Sequence, residues 1–347
     1  MEKKISREKK LANEIIILDG YRGCGKTLFG PIISSFPRVE ILNYAFEIEF
    51  ICRLEKFNKV SSDAAEALVK MHIDHKLYQT MMGRETNFRY HDLSSVFNDS
   101  NPWRYFKRIF QEGDLAIPDR ILKQKPILSL TTHDLLAYSE PVFEGLKNRL
   151  TFIEIIRHPL YMLIQETINM QTLFSDTDAR DIQINFESHS RELPYFCYGW
   201  EDLFMRSNHV ERAIYSIHYT MEENQKYRNK IQSSQSKFLS IPFEKFVLNP
   251  TDYLDKISKY LNSSVTNKVL KALKKQKVPR QKIAAGLSIP VYKRFGWRPP
   301  IEGFSERQEL DRRRDYAIQN GASDDAISIL DNLSNEYETN YLDDVEL

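Results

Sequence analysis

Residues 15–30 read IIILDGYRGCGKTLFG: four apolar residues, Asp19, a glycine-rich turn and then Gly25-Lys26-Thr27. From Gly20 to Thr27 the segment (Gly20, Tyr21, Arg22, Gly23, Cys24, Gly25, Lys26, Thr27) fits the spacing G-x-x-x-x-G-K-[ST] at every defined position. Glycines at these places let consecutive backbone N–H groups turn inward around an anion. A helix starting just after points its positive end at the same spot. Lys26 adds a mobile charge, and the Thr27 hydroxyl can reach a metal or an oxygen. A strand (IIIL) before the loop and a helix-compatible run (TLFGPIISSF) after it supply the required setting. A phosphate loop is therefore expected here, against the plainer reading of a tight turn with a surface lysine. Which phosphate it holds is left to the rest of the chain.

Working outward, short β-rich runs recur at 15–18, 38–42 (RVEIL), 126–130 (PILSL), 151–156 (TFIEII) and 237–242 (KFLSIP), separated by longer helical stretches. That alternation predicts an α/β fold, a three-layer P-loop-type parallel sheet flanked by helices. Helical insertions are expected over about 43–120 and 170–235, of the kind that build a pocket above the carboxyl ends of strands. A closing helix is expected over about 323–341, capped by Ser323 and burying Ile327, Leu330, Leu333 and Tyr337 on one face. The whole, 1–347, reads as one domain.

With 41% hydrophobic and 28% charged residues the chain can bury a sizeable core, and a formal net charge of +1 argues for neither nucleic acid nor an anionic membrane. Cys24, Cys52 and Cys197 are too few and too scattered for a disulfide framework or a zinc site. No run approaches the roughly 18 apolar residues of a membrane helix, so a soluble, cytoplasmic protein is expected. His72 and His75 lack a third ligand at a recognisable distance, and no metal site is expected. The basic run KALKKQKVPRQK (271–282) is explained by a solvated helix face and a nucleotide-contacting loop as well as by nucleic acid.

Three further landmarks follow strands: Thr132-His133 after PILSL, Arg157-His158-Pro159 after TFIEII, and Phe243-Glu244 followed by Pro250 after KFLSIP. Together with the loop, this ordered set resembles the PAPS-dependent sulfotransferase family. The likeness covers about residues 15–30, 126–170 and 237–262. It implies that the Gly20–Thr27 loop holds the 5′-phosphosulfate of PAPS (3′-phosphoadenosine 5′-phosphosulfate), with PAP as product. It further implies that His133 is the catalytic base and that Arg157 grips the 3′-phosphate. Lys26 stands where P-loop kinases keep their lysine; there it can neutralise charge on the bridging oxygen of phosphosulfate, and it can equally serve ATP. The implied reaction moves a sulfuryl group to a hydroxyl or amine, on a carbohydrate or another polar small molecule.

The sequence also departs from that family's pattern. The family's basic residue two places before the second glycine is Gly23 here, and its serine eight residues after the arginine is Gln165. The Arg-Lys-Gly segment of the animal cytosolic enzymes is missing, leaving Arg280, Lys282, Lys293 or Arg294 to take its part. Two other readings stay open. One is a P-loop kinase using Mg-ATP on a small-molecule or saccharide acceptor, with the metal on Thr27 and Asp134 and a lid from RQELDRRRDY (307–316). The other is a non-catalytic nucleotide binder. Two polar or aromatic stretches, GRETNFRYHDLSS (83–95) and PYFCYGWEDLF (194–204), offer either an acceptor pocket or ordinary surface and packing.

Overall fold

The computed structural model describes residues 3–90, 92, 94–173, 183–231, 234–345 and 347. Five strands, β1 (Glu14–Asp19), β2 (Asn43–Tyr44), β3 (Ile127–Thr131), β4 (Leu150–Ile156) and β7 (Lys237–Pro242), form one sheet in the order β2-β3-β1-β4-β7. Every pairing in that sheet is parallel. The remaining strands, β5 (Asn185–Ser188) and β6 (Arg191–Pro194), make a separate antiparallel hairpin.

Alternation along β1 sets the layers. Ile16 and Leu18 point into one core, while Ile15 and Ile17 point into another on the opposite face. In chain order the helices are α1 (Lys26–Ile33), α2 (Phe46–Lys56), α3 (Ser62–Met82), α4 (Trp103–Ile109), α5 (Ala116–Gln124), α6 (Glu140–Leu146), α7 (Pro159–Thr172) and α8 (Glu201–Arg206). They continue as α9 (His209–Ile231), α10 (Phe243–Leu248), α11 (Thr251–Tyr260), α12 (Asn267–Lys275), α13 (Pro290–Arg294), α14 (Glu306–Gln319) and α15 (Asp324–Tyr341). The core on the Ile16 face takes its apolar residues from α1, α7, α10, α11, α12, α14 and α15. The Ile15 face is covered by α2, α3, α5 and α6. Helix α9 contributes Ile214 and Ile217 to the first core and Tyr227 and Ile231 to the second. Among the described residues no helix is long and apolar enough to cross a membrane.

Two expectations need correction. The run RVEIL is not a strand: Arg38 takes a left-handed φ of 68°, and Val39 only touches Ile127 through an isolated bridge. Glu40 turns inward to a two-pronged pair with Arg108 (2.8 and 2.8 Å), and the sheet is joined by Asn43 and Tyr44 instead. The insertion expected from residue 43 therefore begins with a strand. The second expected insertion is helical only in part, since its middle is the β5–β6 hairpin, where Phe186 and Leu193 face each other. Residues 174–182 and 232–233 of that insertion lie outside the described residues. Helix α15 forms as read, with Ser323 accepting from the Ala326 N–H (3.4 Å).

Phe152 shows how tightly the sheet is filled. It is fully buried on β4, with Phe143 and Phe238 at ring distances of 5.2 and 5.9 Å. Phe152→Ala removes these contacts and leaves a cavity, so urea denaturation should show a loss of about 3–5 kcal/mol.

Candidate active site

Parallel pairing brings the carboxyl ends of the strands to one edge. Leu18 pairs with Thr131, Asp19 with Glu154, and Ile156 with Pro242, so the residues after each strand share one rim. These are Gly20, Thr132-His133, Arg157 and Phe243, the four landmarks of the sequence. The chain runs from β1 to one side of the sheet and returns to the other at β4. The crevice beside β1 is thus where an open parallel sheet binds its ligands.

The loop has the backbone its glycines require. Gly20 (φ 147°) and Gly25 (φ 102°) occupy conformations that favour glycine. A Cβ on Gly20 would run into the Ile155 carbonyl, and one on Gly25 into the Phe243 ring. Helix α1 starts directly at Lys26, and no side chain caps it. Its first N–H groups are left for an anion. Lys26 Nζ donates back to the carbonyls of Gly20 and Tyr21 (3.1 Å for the latter). Cys24 is a packing residue, since burial pushes its thiol up and away from reactivity.

Around the loop lies a cavity of about 460 Å³. Arg157 Nη1 donates to the Gly23 carbonyl (2.7 Å), and its guanidinium sits 4.2 Å above the Phe243 ring. Arg280 covers the same ring at 5.5 Å. Among the described residues neither arginine pairs with a carboxylate, and Arg157 Nε is buried without a partner. Burial and the facing Arg157 together pull Arg280 down to about 10. Two cations held this close call for an anion between them. Tyr161, Tyr292, Phe295 and Trp297 add flat faces to the wall. Gln165 lies against Gly23, where its side-chain oxygen would be 3.1 Å from a Cβ. Arg22 lines the cavity while pairing with Glu166 (2.9 Å) and Asp134 (4.0 Å), and Glu154 is taken by Arg228 (2.8 Å).

His133 also lines the cavity, with about a third of its side chain exposed. Its Nδ1 faces Glu49 Oε1 at 3.1 Å. The Tyr44 and Phe46 rings lie nearly parallel to it, at 6.0 and 5.6 Å. Nearly equal spacing of three parallel rings rules out a simple column, so they form a stepped floor beside the imidazole.

Of the four basic candidates near the C-terminus, Arg280 and Arg294 reach the cavity and Lys282 and Lys293 do not line it. Glu244 is a strut: it accepts from the His158 N–H (3.0 Å) and from Tyr337 (2.7 Å), tying the start of α7 to α15. Tyr195 and Trp200 are buried packing residues, leaving only Tyr198 of that trio exposed. In the 83–95 stretch, Asn87, Arg89 and Asp92 mainly bind one another. Ser94 and Ser95 meet Tyr44 and Thr27 in a side cavity, and His91 lies outside the described residues. His72 faces Glu47 (3.6 Å) and His75 faces Gln79 (2.9 Å). Among the described residues no cluster of three or more His, Cys, Asp or Glu could hold a metal. In the proposed lid, Arg312 and Arg313 both pair with Glu309 (2.8 Å each), though Arg313 also lines the cavity. Glu49, Tyr44 and Trp297 were not anticipated. Only the Glu49–Arg53 i,i+4 spacing hinted at an ion pair, and it pointed to no site.

No family model matches the chain, and no curated protein matches it. Among solved structures it is similar to the sulfotransferase domain of the Synechococcus PCC 7002 olefin synthase, at 11% identity over 96% of this chain and 98% of that one, with a TM-score of 0.45. Sulfotransferase STF9 from Mycobacterium avium is 13% identical over 98% and 79% of the two chains, with a TM-score of 0.42. Mouse sulfotransferase SULT7A1, crystallised with PAP, is 12% identical over 94% and 90%, with a TM-score of 0.34. All three are sulfotransferases. At these identities the function of this chain has to be read from its own residues.

Asp134 gives the site a measurable pH signature. Burial pushes its carboxyl up to about 6, with Arg22 and Lys26 opposing and Asp19 and Glu166 adding to the rise. The folded chain therefore holds this proton to about pH 6, whereas the ordinary value is 3.8. Stability from the neutral form is complete below the ordinary value and is lost as pH rises through the folded one. Asp134→Asn should leave stability unchanged near pH 3.5 and raise it progressively to about 3 kcal/mol above pH 6, measured by urea denaturation across that range.

Proposed function

We propose that the chain is a PAPS-dependent sulfotransferase that moves a sulfuryl group to a hydroxyl or amine of a small-molecule or saccharide acceptor. The observation that carries this reading is the pair Arg157 and Arg280, two cations without carboxylate partners among the described residues, set beside a glycine loop that itself suits an anion. One ligand with phosphate groups at two separate positions satisfies both. The buried, unpartnered Arg157 Nε and the uncapped start of α1 both fit such a group.

Bound there, PAPS supplies a sulfuryl group carried on a phosphate leaving group. The loop N–H groups and the start of α1 hold the 5′ end, and Lys26, released from the Gly20 and Tyr21 carbonyls, neutralises charge on it. Arg157 and Arg280 hold the 3′-phosphate by charge-assisted hydrogen bonds. Trp297 and Phe295 offer faces to the base. His133 takes the proton of the acceptor, beside Tyr44 at the cavity wall. In the same reading the chain is one P-loop domain acting in the cytoplasm. Its three cysteines, all buried and free, suit a reducing compartment.

Calorimetric titration tests this. Adenosine 3′,5′-bisphosphate should bind without Mg²⁺, and Arg157→Ala and Arg280→Ala should each weaken it by about 10- to 100-fold. Binding of Mg-ATP with the bisphosphate ignored would replace this reading with the kinase one.

A further inference from the structure

Glu49, His133 and Arg53 close a ring that the phosphate loop does not require. Glu49, almost fully buried on α2, accepts the backbone N–H of His133 at Oε1 (2.9 Å), and the same oxygen faces Nδ1 at 3.1 Å. Its other oxygen pairs with Arg53 (3.0 Å). Arg53 in turn donates to the His133 carbonyl (2.9 Å) and is held 3.8 Å above the Tyr195 ring. Phe46, Glu49 and Arg53 stand three and four residues apart, so one face of α2 frames the imidazole from beside and beneath. The other charges near this ring are Lys26 from α1 and Asp134 from the turn of His133 itself.

A carboxylate only accepts hydrogen bonds, so the hydrogen shared with Glu49 belongs on Nδ1. That leaves the lone pair on Nε2, at the opposite side of the ring. Tyr44 and Phe46, nearly parallel to the imidazole, restrict its tilt. We infer that Glu49 is a positioning residue for His133, fixing the Nδ1–H tautomer and steadying the imidazolium once Nε2 has taken a proton. The inference rests on the reading of His133 as the base. In that step the acceptor proton passes to Nε2 as the acceptor lone pair bonds to sulfur, and the bond from sulfur to the 5′-phosphate oxygen breaks, its electron pair leaving with the bisphosphate product. The Nδ1 proton stays on the ring, and the gained proton leaves later to solvent.

Two measurements test this on the full chain. Nitrogen-15 NMR of the wild type at pH 8, with the His133 signals assigned through His133→Gln, should show the proton on Nδ1. A proton on Nε2 would overturn the assignment. In the second, Glu49→Gln should lower kcat for sulfuryl transfer from PAPS by about 100-fold. It should leave adenosine 3′,5′-bisphosphate affinity within twofold and move the acid limb of the rate profile to lower pH. A kcat and pH profile equal to wild type would also sink it. The NMR experiment needs no turnover. A chain that ignores the bisphosphate therefore refutes the sulfotransferase reading, while the tautomer still decides the role of Glu49.

Discussion

The turn after β3 hangs on the carboxylate of Asp19, the last residue of β1. It is fully buried and accepts from the Thr132 hydroxyl (2.8 Å), the Leu135 N–H (3.1 Å) and the Leu136 N–H (3.0 Å). One side chain thus clamps the turn that carries His133 and Asp134 to the strand that launches the phosphate loop. Burial raises the pKa of this carboxyl, while Lys26, the hydrogen bonds and the backbone amides draw it back. The turn of His133 and the glycine loop therefore share one anchor.

The second organising fact is a close approach. With no side chain at Gly25, the Phe243 ring lies against the loop backbone. Arg157 and Arg280 stack above that ring, which fixes two long, mobile side chains at the cavity wall. Order that would otherwise have to come from carboxylate partners comes from an aromatic face. Backbone carbonyls take part of each guanidinium, Gly23 from Arg157 and Lys277 and Ile283 from Arg280, and the remaining N–H groups can meet a ligand.

Much of this was legible in the sequence, for a physical reason. Gly20, Gly25, Lys26, His133 and Arg157 each sit one or a few residues beyond an apolar strand, and parallel pairing sends all such positions to one edge. A local pattern therefore located them before any tertiary contact was known. Glu49 and Tyr44 belong to the first insertion and Trp297 to the C-terminal third, and nothing in their neighbours signals what they will face; Arg280 was one of four basic candidates that the sequence could not rank. RVEIL was misread because its β-propensity lost to the buried Glu40–Arg108 pair, an attraction between residues 68 positions apart. Tyr195 and Trp200 showed the reverse: aromatic side chains that looked suited to a ligand serve the core.

The cavity wall also joins distant parts of the chain. Its loop comes from residues 20–27, whereas Arg280, Tyr292, Phe295 and Trp297 arrive more than 250 residues later. During synthesis the N-terminal cradle can form while half of its wall is still unmade. In the proposed reading, an anion meets its full set of contacts only once those residues are in place. Ligand and C-terminal segment hold each other in place from that moment, so occupancy should register as resistance of residues 280–297 to opening rather than as a change in the loop.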